Sequence, residues 1–176
     1  GKPNQDLFDL IRWNVRTPDM TLGDMEAQAA SLRVGNRRIV ELCDKYGLNA
    51  VEEYMEWGIQ QGRLMTEKKL EELPHGRFEA EDMIDDDGVS DNPIPVKVAV
   101  EISSDKFVVD LTGSGPQARG SINSPYPATL SAAKAIMKAI IDPHLPVNEG
   151  NFEPLHLIAP EGSIFNPKYP APTSTY

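Results

Sequence analysis

The chain contains few of the residues that identify a protein class at once. Cys43 is the only cysteine among 176 residues, which excludes an internal disulfide and fits a reducing compartment, so we expect a cytoplasmic location. No apolar run is long enough to cross a membrane. The three histidines have no second His or Cys at metal-ligand spacing. The sequence therefore predicts neither a secreted disulfide scaffold, nor a membrane protein, nor a transition-metal site.

Basic charge is scarce as well. The formal net charge is −10, and residues 51–91 hold thirteen Asp and Glu against four Lys and Arg. Nucleic acids and anionic membranes both require a basic face, so neither is expected as a partner. A solvated acidic surface is the default interpretation of this segment, and docking to a basic partner protein is the alternative.

The acidic residues between 82 and 91 do not have the spacing of a calcium-binding loop. Counted from Asp85, such a loop needs glycine at position 90, where serine stands, and an acid at position 96, where valine stands. We interpret this cluster as a solvated loop and predict no metal site in the chain.

Apolar residues recur with helical spacing in the first part of the chain. They predict a short helix from about Asn4 to Asn14, an amphipathic helix from Thr21 to Gly47, and a third helix from Asn49 to about Leu73. The last two are predicted to form an antiparallel hairpin and a docking surface. Gly58 and Gly62 lie one turn apart, which indicates a close approach of another backbone. Cys43 falls on the apolar stripe, so we predict a buried, unreactive thiol.

The spacing changes from helical to alternating at Gly76. Alternation predicts an antiparallel meander of about three strands, followed by a helix that begins near Ser124–Pro125 and ends at Ile141, and by a short strand at Leu155–Ile158. The predicted fold is α+β, with a helical region at 1–74 and an α+β region at 75–176. Both regions are expected to be parts of one larger domain.

The segment 107–123 runs from an apolar strand into a glycine-rich polar turn. Three glycines allow a ligand to approach the main chain, and six side chains can form hydrogen bonds: Asp110, Thr112, Ser114, Gln117, Arg119 and Asn123. A tight connection that merely ends a hairpin is the structural alternative. The segment has neither phosphate-loop pattern, so ATP is not expected to bind here by those means. Ser114 also lacks the glycine spacing of a nucleophile elbow.

Four stretches, in order, resemble the hydantoinase B/oxoprolinase family. They begin at Gly23-Asp24, at Glu81-Asp82-Met-Ile-Asp85, at Asp110-Leu-Thr-Gly-Ser-Gly-Pro-Gln117, and at Pro146-Val-Asn148-Glu149-Gly150. Members of this family are considerably longer, so the chain is expected to be an internal fragment that is inactive by itself. The resemblance implies the B-type part of an ATP-dependent enzyme that opens a cyclic amide such as oxoproline or N-methylhydantoin. Relatives carboxylate ketones, which is a second possibility.

The resemblance also implies partners and cofactors. An A-type subunit with an actin-like fold is expected to bind ATP and Mg²⁺ and to phosphorylate the substrate. A divalent metal, where one occurs, is expected upstream of this segment. The catalytic residues remain unknown, and the candidates for substrate contact are Asp110, Ser114, Gln117, Arg119 and Asn123. The alternative hypothesis is a non-catalytic packing and assembly module.

A sharper hypothesis concerns Asp110, at the end of its predicted strand. Its carboxylate could accept hydrogen bonds from the amides of the turn and so hold Gln117 and Asn123 in place. On this hypothesis Asp110→Asn costs both stability and activity. Gln117→Ala or Asn123→Ala would cost activity while folding stays nearly intact.

Overall fold

The structure, a computed structural model, describes residues 3–144 and 146–173. Its helices are α1 (Gln5–Asn14), α2 (Pro18–Tyr46), α3 (Leu48–Glu72) and α4 (Tyr126–Ile141), and its strands are β1 (Gly76–Ile84), β2 (Ile94–Ile102), β3 (Phe107–Asp110) and β4 (Leu155–Ile158). A 3-10 turn spans Glu149–Phe152. The predicted α+β class is confirmed. The chain divides into two compact units between Met55 and Glu56, inside α3.

Local signals explain where the helices of the first unit begin and end. The side-chain oxygen of Asn4 accepts a hydrogen bond from the Leu7 amide at 3.4 Å and so caps α1. Helix α2 begins at Pro18 and not at Thr21, because proline is favoured at the first helical position, where no N–H partner is needed. It ends before Gly47, which has a φ of +89°.

The apolar residues of α2 are mostly exposed. Leu22 is the only buried residue of this helix, whereas Leu32 is 74% exposed. Cys43 is half-buried, so the prediction of a buried thiol is wrong. The amphipathic pattern correctly predicted the helix, but it did not identify a packed face. The antiparallel packing of α2 and α3 stays a prediction. In the described part of the chain, no helix has the length and the apolar character that a membrane span requires.

The second unit contains a four-stranded sheet in the order β1-β2-β3-β4. Strands β1, β2 and β3 pair antiparallel, with Gly76 opposite Ile102 and Ala99 opposite Asp110, which confirms the predicted meander. Strand β4 pairs parallel with β3, so the segment that contains α4 forms the crossover between them. The sheet is therefore mixed, and the glycine-rich turn leaves it at the end of β3.

The core of this unit joins the sheet to two helices. Leu70 of α3, Ile102 of β2, Phe107 of β3 and Met137 of α4 form one buried cluster. Burial of each such side chain stabilises the fold by roughly 1.5–3 kcal/mol. The prediction of a helix packed on the sheet is confirmed, and the core fixes the strand from which the turn emerges.

Two asparagines fasten the 3-10 turn to α3. The Asn148 side chain donates a hydrogen bond to the Gly58 carbonyl at 2.9 Å, and the Asn151 side chain donates one to the Gly62 carbonyl at 3.1 Å. A Cβ at Gly62 would overlap the Asn148 side chain, and one at Gly150 would lie 2.8 Å from the carbonyl carbon of Ile59. The main chain at Gly150 thus lies close to α3, but a Cβ at Gly58 would meet no atom within 4 Å. The predicted close approach is therefore found at Gly62, where the approaching group is a side chain, and is wrong at Gly58.

Candidate functional site

The glycine-rich turn occupies residues 111–123, directly after β3. From residue 112 to residue 120, every main-chain N–H except that of Gly113 donates a hydrogen bond to another described protein atom, residue 116 being proline. A backbone cradle for phosphate requires several free N–H groups that point at the ligand. Between residues 112 and 120 only the N–H of Gly113 is left without such an acceptor, so this stretch offers no cradle of that kind. Ligand contacts in this stretch would therefore come mainly from side chains.

Asp87, in the loop between β1 and β2, forms hydrogen bonds with the main chain of the turn. The residue is 7% exposed. Its Oδ2 accepts the N–H groups of Arg119 and Gly120, each at 3.0 Å. Its Oδ1 accepts those of Val89 and Ser90 at 2.9 and 2.7 Å. These hydrogen bonds, led by those from Ser90 and Gly120, hold the pKa of Asp87 far below the ordinary carboxyl value. An ionised carboxylate thus joins two loops.

Sequence analysis missed this residue, because it assigned Asp87 to a solvated acidic cluster. Its neighbours Asp85 and Asp86 are indeed exposed. A local signal does exist. Asp followed by Gly88 and Ser90 is typical of a turn in which the carboxylate accepts nearby main-chain N–H groups, and Gly88 has a φ of +75°. Nothing in the local sequence indicates the bonds to residues 119 and 120, which lie more than thirty positions away.

Asn123 is completely buried and fastens the far end of the turn. Its Oδ1 accepts the Ala118 N–H at 2.7 Å, and its Nδ2 donates to the carbonyls of Ala118, Gly120 and Pro172 at 3.0, 3.2 and 2.7 Å. All the polar atoms of the side chain are therefore paired within the protein. A ligand could contact Asn123 only by displacing these partners.

Asp110 and Ser114 also bond within the chain. Asp110 Oδ1 accepts the Thr112 N–H at 2.9 Å, and hydrogen bonds from Thr112 lower the pKa of Asp110. The predicted hydrogen bond from an amide of the turn to Asp110 is thus confirmed at Thr112. No hydrogen bond joins Asp110 to Gln117 or Asn123, and the amides of Arg119 and Gly120 bond to Asp87 instead. Ser114 Oγ accepts the Lys97 N–H at 3.0 Å and donates to the Lys97 carbonyl at 2.9 Å, which joins the turn to β2.

Gln117 and Arg119 differ from the other candidates, because each has side-chain donors left over. The Gln117 N–H donates to the Gly162 carbonyl at 2.8 Å, and its Oε1 accepts the Lys168 N–H at 2.7 Å. Its Nε2 group therefore remains available. Arg119 is exposed, and no described residue forms a hydrogen bond or an ion pair with its guanidinium group.

Both residues line one cleft of about 230 Å³. Its walls include the rings of three prolines, and its lining residues are Asp87, Ser90, Asn92, Pro93, Ile94, Pro95, Pro116, Gln117, Ala118 and Arg119. Of the five residues predicted to contact a substrate, the structure brings Gln117 and Arg119 together in this cleft. The other three brace the turn. We call this space the turn cleft.

A larger depression of about 810 Å³ lies along β4 and α4, where it includes none of the five predicted residues. Two lysines line it, Lys106 and Lys134, and Lys134 is already paired with Glu149 at 3.0 Å and lies 4.9 Å from the centre of the Phe152 ring. We therefore regard the smaller turn cleft as the better candidate site. Among residues 3–144 and 146–173, no three His, Cys, Asp or Glu side chains are grouped so that they could hold a metal ion.

The depressed pKa of Asp87 leads to a prediction about acid stability. In the unfolded chain an aspartate takes up a proton near pH 4, whereas in the folded chain Asp87 stays ionised. Folding stability from this group is thus fully present above about pH 4 and is lost as the pH falls below it. Thermal unfolding of wild type and Asp87→Asn should differ most near pH 7, and the gap should narrow below pH 4.

Asp91→Asn is the matched control for this measurement, because Asp91 is exposed in the same loop. It should leave the melting temperature nearly unchanged at every pH. A gap between wild type and Asp87→Asn that stays constant from pH 7 to pH 3 would contradict the role of the ionised carboxylate.

Comparison with known proteins places this geometry in a family. The family model described as hydantoinase B/oxoprolinase matches residues 1–176. An uncharacterised protein of Methanocaldococcus jannaschii is 38% identical over 99% of this chain and 30% of its own length. The putative B-type subunit of a D-/L-hydantoinase from a Pseudomonas species is 33% identical over 98% of this chain and 31% of its own length.

A solved structure has the same fold. The crystal structure of an ATP-dependent caprolactamase from Pseudomonas jessenii superposes with a TM-score of 0.85 and 25% identity, over 98% of this chain and 30% of that one. The chain thus spans about a third or less of the length of these relatives.

Proposed function

The chain belongs to the hydantoinase B/oxoprolinase family, and on this basis we propose that it is part of the B-type subunit of an ATP-dependent enzyme that opens a cyclic amide. The match of the family model over residues 1–176 is the observation that carries the proposal. A relative named as the B-type component of a hydantoinase and a structural neighbour named as an ATP-dependent caprolactamase both support hydrolysis of a cyclic amide.

We propose that ATP binds to a partner subunit and not to this chain. An amide carbonyl is a poor electrophile, and phosphorylation of its oxygen supplies a good leaving group. The N–H groups of residues 117–120 are all used within the protein, the sequence has neither phosphate-loop pattern, and among the described residues no three His, Cys, Asp or Glu side chains are grouped so that they could hold a metal ion. We therefore assign ATP and Mg²⁺ to an A-type partner subunit of actin-like fold, and any divalent metal of the B-type subunit to residues outside this chain.

The contribution of this chain is to position the substrate. Asn123 fixes the main chain of the turn at Ala118, and Asp87 fixes it at Arg119 and Gly120. The side chains of Gln117 and Arg119 therefore start from a rigid base. A donor placed in advance loses little entropy when the ligand binds. We propose that Arg119 and Gln117 contact the substrate of the assembled enzyme.

The test uses the full-length B-type subunit together with its A-type partner. We expect release of phosphate from ATP coupled to ring opening of at least one compound among 5-oxoproline, N-methylhydantoin and caprolactam. The isolated 176-residue chain should show neither activity. Arg119→Ala should lower turnover at least about tenfold, since a charged hydrogen bond contributes about 1.5–3 kcal/mol. Arg37→Ala, an exposed arginine of α2, is the matched control.

A packing and assembly module is the second candidate function. It is favoured by the internal bonds of Asp110, Ser114 and Asn123, which show that most of the polar turn fastens the chain to itself. Normal turnover by both Arg119→Ala and Gln117→Ala in the complete complex would favour this function. ATP-dependent carboxylation of acetone without amide hydrolysis would instead favour a ketone carboxylase.

A further inference from the structure

Two residues that line the turn cleft of about 230 Å³, Gln117 and Arg119, carry donor groups with no acceptor among the described residues. They are the guanidinium group of Arg119 and the Nε2 group of Gln117. The orientation of the Gln117 amide is fixed, because its Oε1 accepts the Lys168 N–H at 2.7 Å. The end of the side chain that remains for a ligand is therefore a donor. Together the two groups offer N–H donors and one positive charge.

The main chain that carries these donors is held by hydrogen bonds at three successive residues. The N–H groups of Gln117, Ala118 and Arg119 donate respectively to the Gly162 carbonyl, to Asn123 Oδ1 and to Asp87 Oδ2. The carbonyl of Ala118 accepts from Asn123 as well. The two Cα positions from which the donors project are thus fixed before any ligand arrives, which lowers the entropy cost of binding.

The surroundings favour a carboxylate over a phosphate. Phosphate sites usually rely on free main-chain N–H groups, and here those of residues 117–120 are already used. Asp87 also lines the cleft, and the negative charge of its carboxylate repels a dianion more than a monoanion. A guanidinium fork matches the planar carboxylate well. The proline rings of the cleft add apolar walls suited to a small organic acid.

We infer that Arg119 and Gln117 form a binding site for the carboxylate of a small organic acid. The inference rests on the proposed function, because hydrolysis of a cyclic amide breaks the C–N bond and places the oxygen of water on the carbonyl carbon, which leaves a carboxylate. A cyclic amide that already carries a carboxylate would use the same contact. A cyclic amide without a carboxylate would form this contact only after ring opening, through the carboxylate of its product.

The test compares two ligands that differ only in the carboxylate. Binding of 5-oxoproline and of 2-pyrrolidinone to the full-length B-type protein is measured by calorimetry without ATP, with inorganic phosphate as a third ligand. We expect wild type to prefer 5-oxoproline over 2-pyrrolidinone at least about tenfold. Arg119→Ala should abolish the preference, Arg119→Lys should keep only part of it, and Arg37→Ala should leave it unchanged.

Gln117→Glu supplies a second variant that keeps the acceptor for the Lys168 N–H. It places negative charge at the free end of the side chain, so we expect loss of 5-oxoproline binding with an unchanged melting temperature. Equal affinity of wild type for both ring compounds overturns the inference, and so does a preference that survives Arg119→Ala. Binding of phosphate alone, dependent on Arg119, overturns it in favour of a phosphate site. Turnover of caprolactam, which has no carboxylate, tests the proposed function separately.

Discussion

Gly120→Ala should destabilise the protein by about 3 kcal/mol or more. A Cβ at this position would overlap the carbonyl oxygen of Asp87 and would lie 2.7 Å from its carbonyl carbon. The main chain of the turn would have to move away from the loop that contains Asp87. That movement would also break the hydrogen bonds from Arg119 and Gly120 to Asp87 Oδ2. The melting temperature should fall by roughly 10 °C.

Gly58→Ala is the matched control for this substitution. A Cβ at Gly58 would meet no atom within 4 Å, and alanine is favoured over glycine inside a helix by up to about 1 kcal/mol. Thermal unfolding followed by circular dichroism should therefore show a melting temperature for Gly58→Ala equal to or above that of wild type. Equal melting temperatures for Gly120→Ala and wild type would show that the two loops are not in close contact.

Asn123→Ala should cost on the order of 3 kcal/mol, because it removes four hydrogen bonds from a fully buried position. The Ala118 amide and carbonyl and two further carbonyls lose their partner, and each unsatisfied buried group costs about 1–3 kcal/mol unless water reaches it. This expectation reverses the one drawn from the sequence, which assigned Asn123 to the substrate. Urea unfolding at neutral pH measures the difference.

Asn92→Ala serves as the control for Asn123→Ala. Asn92 is exposed, and no described residue forms a hydrogen bond with its side chain, so the substitution should change the unfolding free energy by less than about 0.5 kcal/mol. A similarly small effect for Asn123→Ala would show that the buried side chain does not hold the turn. In that case the hypothesis that Asn123 contacts the substrate would again be supported.

The spacing of apolar residues predicted the helices and strands well where the burial of side chains follows that spacing. Strand β2 spans Ile94–Ile102, the stretch in which apolar residues occupy every second position, and its residues Val100 and Ile102 pack in the core. The start of α2 was predicted three residues late, at Thr21. A polar residue with an acid three positions on resembled a cap, whereas Pro18 sets the first turn.

The candidate site was only partly predictable, for a physical reason. Glycine and polar residues indicated a special turn at 111–123, and they did so correctly. Which side chains face a ligand depends on partners that are distant in the sequence. Asp87 bonds to residues more than thirty positions away, and Asn123 bonds to Pro172. A list of polar residues cannot separate those that brace a turn from those that remain free.

The parallel pairing of β4 with β3 fixes the order in which the second unit can be completed. Phe107 lies opposite Leu155, and its amide donates to the Pro154 carbonyl at 2.9 Å. During synthesis from the amino end, nearly fifty residues must follow β3 before this partner exists. Until then the outer edge of β3 presents unpaired main-chain N–H and C=O groups beside the glycine-rich turn. Such edges can pair with strands of other chains. A nascent chain that has reached Asp110 can already pair its first three strands, yet it remains prone to association until Ile158 has emerged.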